Sequence, residues 1–426
     1  MIKLFSLKSE FTKNTAILVI GTIVAQSIPI LLAPFLRRIY STENFGAFAL
    51  YLNILGIIII FASLRYEAAI VLPKDERESA NILSLSLILS FILCILLFLF
   101  FLFFNDFVCE LINFPKAYSY YLYFLPLSAM LFSFYQSINF WLIRQKAFKA
   151  SSINKISRRG VEGGVQFSSG FGNFSFGLVI GDFFGNLANA VSGINQMFKN
   201  NFKKEYITKN ELLHVFKKYK EFPLFNLFPT LLSAAAILLP FIFISKLYSS
   251  TDVGYLDLSR LVLSIPLALL SATISQVILQ QITEKKNNRI SLKKDLLSVF
   301  FFLLIVAVAE IGIIFFCGPQ IFGFVFGNKY NISGVYSQIL VYSYVLNFIV
   351  SCFTAVFISL NRIKVYSVWQ IVYFTGICCL LLLKNIALAD FLKIYVAFDV
   401  IMFSLLMILI FLVVYNYEKR LKNGSK

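Results

Sequence analysis

The chain has 426 residues, of which 59% are hydrophobic and only 14% are charged, and its mean hydropathy is +0.81. Soluble domains carry about 25% charged residues on average, and a soluble protein could not bury the apolar surface of the 49 Phe in this chain. The composition therefore excludes an ordinary soluble domain and predicts a protein embedded in a membrane.

Continuous apolar stretches recur along the whole chain. Each is about 20 residues long, the length at which a helix crosses the hydrocarbon core, and none shows the alternating segments of about ten residues that a membrane barrel requires. We predict an all-α polytopic membrane fold of about twelve transmembrane helices, because backbone groups in lipid must pair within a helix. The predicted spans are 15–36, 45–64, 80–104, 118–143, 153–173, 175–197, 223–247, 254–281, 295–317, 334–361, 365–384 and 391–415.

The basic residues are distributed unevenly between the loops. With the N-terminus placed in the cytoplasm, about 30 of the 38 Lys and Arg lie on the cytoplasmic side, as the positive-inside rule requires. This side includes the cluster from Arg144 to Arg159. We expect a multi-pass protein of the bacterial inner membrane with both termini in the cytoplasm. The net charge of +17 is then a cytoplasmic rim, and no nucleic-acid partner is expected.

A Lys-rich segment at mid-chain divides the sequence. We predict an N-terminal six-helix bundle over residues 1–197, a cytoplasmic linker over 198–222, a C-terminal six-helix bundle over 223–415 and a cytoplasmic tail over 416–426. Two interpretations of the linker are open. It is either a solvated connection or an amphipathic helix that lies on anionic headgroups.

The two halves contain a weak internal repeat. Residues 40–46 are YSTENFG and residues 248–254 are YSSTDVG, and both follow an apolar span on the predicted outer side. Two halves with the same orientation imply a pseudo-two-fold axis along the membrane normal. Transporters built from such parallel repeats bind substrate at the repeat interface, so a monomer with an internal cleft is expected.

Four motifs run in order along most of the chain. They are Leu64–Lys74 (LRYEAAIVLPK), Glu221–Phe225 (EFPLF), Ser259–Leu261 with a following Pro, and Phe326–Gly327 with a following Tyr. With these motifs the chain resembles the bacterial oligosaccharide flippases, the polysaccharide-transport branch of the multidrug/oligosaccharidyl-lipid/polysaccharide (MOP) exporter superfamily. The first motif, which is similar to R-Y-E-x-A-I-x-L-P, is the most specific.

This resemblance implies a fold of two six-helix bundles around a central cavity. It implies a flippase, not an enzyme, which moves repeat units on undecaprenyl pyrophosphate to the outer leaflet for assembly of O-antigen, capsule or exopolysaccharide. The implied mechanism is ion-coupled alternating access, with H⁺ or Na⁺ as the coupling ion and no other cofactor. The expected partners are the lipid-linked oligosaccharide, membrane lipids, and the polysaccharide polymerase and chain-length machinery.

Arginines inside or next to the spans are the candidate substrate-binding residues. A charge in the membrane usually faces a cavity or a partner, and the forked donors of Arg match two phosphate oxygens. The predicted cavity cations are Arg260, Arg158, Arg159, Arg37 and Arg38. Structural alternatives exist for all five. Arg260 could pair with Asp257 three residues away. Arg158 and Arg159 could belong to the inner rim, and Arg37 and Arg38 could anchor the first span at the interface.

Three carboxylates lie deep in apolar stretches, at Glu310, Asp182 and Asp399. A carboxylate buried without a partner tends to take up a proton. These three are therefore the candidates for a proton or Na⁺ coupling site, and Glu310 is the first choice. The alternative is a neutral side chain hydrogen-bonded to a neighbouring helix.

Other residues are expected to shape the bundle. Arg65 and Glu67, like Asp257 with its arginine, are predicted to form a gate or a structural pair. Glycines that recur every four residues form a small-residue stripe for helix packing, and they are Gly177, Gly181 and Gly185.

No metal site or catalytic residue is predicted, because the chain has one His and its six Cys show no CxxC pair. Two rival functions stay open. One is a multidrug or cation antiporter of the same superfamily. The other is a membrane polysaccharide polymerase or glycosyltransferase, for which the short outer loops are unfavourable.

Overall fold

The computed structural model describes residues 10–172, 174–288, 290–360 and 362–423, and every regular element within them is helical. Twelve of the described α-helices have 17 residues or more. They are α1 (Glu10–Ile39), α2 (Thr42–Ala62), α3 (Glu76–Ile112), α4 (Phe124–Arg144), α5 (Phe148–Phe171), α6 (Gly177–Lys199), α8 (Leu227–Leu247), α9 (Ser250–Asn287), α10 (Lys293–Phe326), α11 (Asn331–Phe353), α13 (Ile363–Cys379) and α14 (Leu388–Asn423). Two shorter helices are α7 (Lys209–Lys218) and α12 (Ala355–Ser359).

The twelve long helices follow the twelve predicted spans in order. Within the described part of the chain, eight stretches are long and apolar enough to cross a membrane, and they lie in α1, α2, α3, α8, α10, α11, α13 and α14. Of the other four long helices, α4, α5 and α6 interrupt their apolar runs with polar or charged side chains, whereas α9 contains an uncharged apolar run over residues 261–283. The structure therefore indicates a multi-pass membrane protein with a more polar group of helices in its N-terminal half.

The fifth helix begins earlier than predicted. α5 starts at Phe148, ahead of the predicted span 153–173. Arg158 consequently lies about 15 Å along the helix axis from its start, at 1.5 Å per residue. The structure thus favours the interpretation in which Arg158 and Arg159 enter the bundle over the one in which they belong to the rim.

The chain divides into two compact units, Met1–Gly254 and Tyr255–Lys426. The first unit contains α1 to α8 and the first turn of α9, and the second contains the rest of α9 and α10 to α14. Six of the twelve long helices precede residues 198–222 or end at their start, and six follow them. The predicted division into two six-helix bundles at this segment stays a prediction.

Residues 198–222 fold against the first unit. Thr208 caps α7, because its hydroxyl accepts a backbone N–H of the first helical turn at 3.3 Å. Val215 on α7 is fully buried. Tyr66, from the first sequence motif, stacks on Phe216 with ring centroids 5.9 Å apart and donates its hydroxyl to the Phe216 carbonyl at 2.9 Å. The segment therefore contains an amphipathic helix that packs on the first unit through Val215, while eight of the ten residues of α7 are exposed. The assignment of residues 198–222 as a cytoplasmic linker stays a prediction.

The two copies of the internal repeat have the same local structure and touch each other within the first unit. Ser41 accepts the amide N–H three residues later at 3.1 Å, and so does Ser249, at 3.1 Å. Gly46 and Gly254 occupy equivalent positions in the two copies. A Cβ on Gly254 would lie 3.0 Å from the Gly46 nitrogen, and a Cβ on Gly46 would overlap the Ser250 carbonyl. The repeat therefore keeps Gly in both copies because two backbones approach closely there.

Candidate functional site

α5 and α6 pack along a stripe of glycines. Gly177, Gly181 and Gly185 all face α5 or its neighbours. A Cβ on Gly181 would lie 2.8 Å from the Glu162 carbonyl oxygen, and a Cβ on Gly185 would lie 3.0 Å from the Arg158 carbonyl oxygen. This is the close approach that a small-xxx-small stripe allows. It brings the charged residues of α5 against the polar face of α6.

An ion pair links these two helices. Nη2 of Arg158 lies 3.4 Å from Oδ1 of Asp182, and the two side chains expose 17% and 1% of their surfaces. The other carboxylate oxygen, Oδ2, accepts from the Tyr51 hydroxyl at 3.2 Å and from Nδ2 of Asn186 at 3.0 Å. The ring of Phe132 on α4 lies 5.0 Å from the guanidinium carbon of Arg158, in the range of a cation–π contact. Four helices thus hold this pair.

A second ion pair lies next to the first on α5. Nη1 of Arg159 donates to both carboxylate oxygens of Glu162, at 3.0 and 2.8 Å. We call Arg158, Arg159, Glu162 and Asp182 the paired cluster. It contains two cations and two anions, so it is neutral when all four groups are ionised. Pairing explains why a bundle interior tolerates four charges, since a lone buried charge would be strongly destabilising.

Spare hydrogen-bonding capacity surrounds the paired cluster. Among the described residues, no partner is found for the buried Nε of Arg158, Oδ1 of Asn186, Nδ2 of Asn154 or either amide atom of Asn189. Buried polar atoms are nearly always paired. These donors and acceptors lie within two helical turns of Asp182 on α6, or on the adjacent α5. The amide oxygens could accept from a water or coordinate a cation, and the N–H groups could donate to a water or an anion.

The charge of Asp182 determines whether the buried charge of Arg158 is compensated, because the two side chains form an ion pair. While Asp182 is ionised, it compensates Arg158. A proton or a cation bound at Asp182 would leave the guanidinium without its partner, and an uncompensated buried charge is far less stable than a pair. Binding at Asp182 would therefore favour the approach of another anion to Arg158.

The second unit contains an ion pair on α9. Nη2 of Arg260 donates to Oδ1 of Asp257 at 3.0 Å, and the side chains are 22% and 15% exposed. The three-residue spacing that predicted this pair puts both residues on one helix face. Tyr344 on α11 lies within electrostatic range of both residues and of Asp399.

Asp399 on α14 is enclosed by hydroxyl groups. It is 1% exposed. The hydroxyl of Ser343 donates to its Oδ2, and the hydroxyl of Tyr373 donates to its Oδ1 at 2.9 Å. Asp399 has no ion pair with any other residue that the structure describes, so its environment differs from that of Asp182. Its coupling role stays a prediction.

The sequence profile of the polysaccharide biosynthesis protein family matches residues 35–335. The chain belongs to this family. No curated protein matches it significantly.

Several solved structures share its fold. An inward-facing multidrug resistance MATE family transporter of the MOP superfamily is 14% identical with a TM-score of 0.72, over 93% of this chain and 99% of that one. A MOP superfamily transporter from Pyrococcus furiosus Vc1 (DSM3638) is 14% identical with a TM-score of 0.66, over 95% and 96%. An outward-facing MATE transporter is 14% identical with a TM-score of 0.65, also over 95% and 96%.

The chain thus combines membership of a polysaccharide biosynthesis family with the fold of MOP superfamily transporters. The predicted fold class, an all-α membrane protein with twelve helices in two bundles, is confirmed. The solved structures that share the fold are transporters.

Glu310 lies on α10 among exposed apolar side chains. Its side chain is partly buried, whereas Ile305, Val308 and Phe316 on the same helix are 70%, 60% and 75% exposed. Across the described residues Glu310 makes no hydrogen bond or ion pair, and no group of three or more His, Cys, Asp or Glu is placed to hold a metal ion. The coupling role of Glu310 stays a prediction, with no neighbouring group to support it.

Arg37 and Arg38 have different environments. Arg37 is 1% exposed, donates to the Gly254 carbonyl at 2.9 Å and lies 3.7 Å from the centroid of the Phe45 ring. It is therefore a buried residue rather than an interface anchor, and it would have to leave these contacts to bind a substrate. Arg38 is exposed.

Arg65 and Glu67 are in contact. Nη1 of Arg65 donates to Glu67 at 3.0 Å, and the Ser63 hydroxyl donates to the other carboxylate oxygen. Glu67 is 2% exposed. Arg65 itself has a φ of 67°, which is uncommon for a residue with a side chain. The pair thus shapes the turn between α2 and α3 on which α7 packs, and these contacts support the structural interpretation of the pair.

The sequence analysis missed the neutral partners of the two buried aspartates. Asn186 could have been found, because it follows Asp182 by four residues and shares a face of α6 with it. Ser343 and Tyr373 lie on α11 and α13, whereas Asp399 lies on α14. The spacing of these residues along the chain does not indicate that side chains from three different helices are in contact.

Proposed function

We propose that the chain is a flippase that moves oligosaccharide repeat units, linked to polyprenyl pyrophosphate, from the cytoplasmic to the outer leaflet of the bacterial inner membrane. The observation that supports it best is the occurrence of a transporter fold in a chain of a polysaccharide biosynthesis family. The cargo of such a protein is a sugar intermediate, and a MOP fold acts on its cargo by transport. Both termini would lie in the cytoplasm, since that orientation puts most Lys and Arg inside.

The paired cluster supports ion-coupled alternating access. Asp182 is the only predicted coupling residue that the described structure places against an arginine. In the proposed cycle, H⁺ or Na⁺ binds at Asp182 and frees Arg158 for the pyrophosphate, whose oxygens suit a guanidinium. Arg260 is a separate candidate for binding an anionic group, because 22% of its side chain is exposed and its partner Asp257 is one helical turn away.

A multidrug or cation antiporter is the second candidate. The observation in its favour is the fold shared with two multidrug resistance MATE transporters. The P. furiosus relative is described as having a binding pocket of reverse polarity that suggests a different function, so pocket charge can separate functions within this fold. The candidate cations Arg158 and Arg260 favour an anionic substrate over a cationic drug.

A deletion strain complemented with the gene tests the proposal. We expect complete repeat units to accumulate on polyprenyl carrier at the cytoplasmic face of the deletion strain, and surface polysaccharide to be lost. Both changes should revert with the wild-type gene. Extracted lipid-linked saccharides and surface polymer are the two measurements.

The same strains separate the rivals. Single repeat units that reach the surface without forming polymer would point to a polymerase. Unchanged saccharides combined with increased drug sensitivity would contradict the proposal and support the antiporter. The matched variant Arg260→Lys, which keeps the charge, should retain more export than Arg260→Ala.

A further inference from the structure

A cavity with basic walls lies at one end of the second unit. Its volume is about 120 Å³, several times the roughly 10–15 Å³ that a single water needs. It is bounded by the C-terminal end of α9, the connection between α12 and α13, and one face of α14. The lining residues that matter are Lys286, Arg362, Arg420, Leu360, Val413 and Tyr417.

The cavity carries uncompensated positive charge. Three of its described lining residues are cations and none is a carboxylate. The nearby acidic side chains have other partners. Asp295 pairs with Lys285, and Glu418 accepts the backbone N–H groups of Leu292 and Lys293 at 2.6 and 3.2 Å, which caps the start of α10. Among the described residues, no carboxylate forms an ion pair with these three cations, so they could bind an anion that enters the cavity.

The side-chain N–H groups of the three cations are available to donate hydrogen bonds to a ligand in the cavity. Neither Arg362 nor Arg420 makes a side-chain hydrogen bond or an ion pair with another residue that the structure describes, and both are exposed. Nζ of Lys286 donates to the Ser359 carbonyl at 2.6 Å. This contact fixes the ammonium and leaves two of its three N–H donors. Val413 and Arg420 lie seven residues apart on one face of α14.

We propose that this cavity binds the phosphodiester headgroup of an anionic membrane lipid. Basic pockets between transmembrane helices on the cytoplasmic side bind such headgroups, and two guanidiniums present forked donors to phosphate oxygens. Leu360 and Val413 add an apolar wall next to the cations, as a lipid requires. A space of about 120 Å³ is large enough to accept one phosphate group.

The position of the cavity agrees with this ligand. Lys286, Arg362 and Arg420 all follow or precede apolar helices and lie in segments that the charge distribution assigns to the cytoplasm. Headgroups of the inner leaflet lie at this depth. A headgroup bound there would join α9, α13 and α14 at their ends, in addition to the hydrogen bonds that Tyr417 donates to the Ile290 carbonyl and Lys286 donates to the Ser359 carbonyl.

Lipid titration of the purified full-length protein, monitored by native mass spectrometry, tests the site. The cavity variant is Arg362→Gln with Arg420→Gln. The matched control is Lys294→Gln with Lys419→Gln, which removes the same charge from exposed positions on α10 and α14 outside the cavity. Melting temperatures show whether both variants are folded. The probes are phosphatidylglycerol, geranylgeranyl pyrophosphate, and inorganic phosphate as a soluble competitor.

We expect the cavity variant to lose about tenfold or more in apparent affinity for phosphatidylglycerol, since each cation near a lipid surface contributes measurably. The control should change much less, and inorganic phosphate should compete only weakly. Equal losses in both variants would show general surface attraction and overturn the proposal. Loss of pyrophosphate binding with unchanged phosphatidylglycerol binding would assign the cavity to the transported lipid and overturn it too. Lipid binding does not require transport, so failure here is distinguishable from failure of the proposed function.

Discussion

Replacing Asp182 by Asn should destabilise the first unit strongly, because it leaves Arg158 buried without a counter-ion. Breaking a buried pair by removing one partner destabilises a protein by about 3–5 kcal/mol. The lower end applies, since Arg158 keeps 17% exposure and its distance to Asp182 is already 3.4 Å. A loss of about 3 kcal/mol corresponds to a fall of about 6–12 °C in melting temperature for a unit of this size.

The assay is the melting temperature of detergent-purified protein, followed by loss of the monodisperse peak after heating. Glu110→Gln is the matched control, because it also removes one carboxylate from the first unit. The Glu110–Lys116 pair spans 3.9 Å, and its side chains are 71% and 85% exposed. Exposed pairs contribute about 0–1 kcal/mol, so this variant should melt within a few degrees of wild type.

A double variant separates the lost pair from other effects of the substitution. Arg158→Gln with Asp182→Asn removes the uncompensated charge and should recover part of the melting temperature that Asp182→Asn loses. The reasoning is refuted if Asp182→Asn melts like Glu110→Gln. It is also refuted if the decreases in melting temperature of the single variants Asp182→Asn and Arg158→Gln simply add in the double variant.

Three further predictions concern packing, substrate and coupling. Gly181→Val should lower the melting temperature, because a Cβ there would lie 2.8 Å from the Glu162 carbonyl oxygen. Gly164→Ala on α5 should leave the melting temperature unchanged, because a Cβ there meets nothing within 4 Å. Equal melting temperatures of the two variants would contradict the packing role of Gly181. Arg260→Ala should reduce polysaccharide export more than Arg260→Lys, measured as surface polymer, and equal export by wild type and both variants would remove Arg260 from the mechanism. If Glu310 binds the coupling ion in place of Asp182, Glu310→Gln should lose transport driven by an imposed ion gradient in vesicles, and wild-type transport rates would end the candidacy of Glu310.

The number and order of the helices could be predicted from the sequence. Apolar stretches of membrane-spanning length have the same meaning wherever they occur, because the hydrocarbon core penalises every unpaired backbone group. Local spacing was equally informative. The glycines of α6 pack closely, and Arg260 contacts Asp257, since residues three or four apart on a helix are neighbours whatever the fold.

Two features could not be predicted from local polarity. Residues 198–222 are rich in Lys and have the composition of a solvated connection, yet Val215 is fully buried on α7. α5 begins at Phe148, five residues before the predicted span 153–173. Charges inside a bundle can be recognised only when their counter-ions are known, and Asp182 is 24 residues from Arg158.

Sequence alone determined the twelve-helix membrane fold and the polysaccharide biosynthesis family of this chain, because hydropathy, charge asymmetry and motifs are properties of single segments. Only the tertiary structure decided which charges are paired between different helices. Asp182 is contacted by Arg158 of α5 and Tyr51 of α2, in addition to Asn186 of its own helix, and Asp399 is contacted by hydroxyls from α11 and α13. The physical reason is that a buried carboxylate takes its properties from neighbours within a few ångströms, and helix packing brings those neighbours from distant parts of the chain.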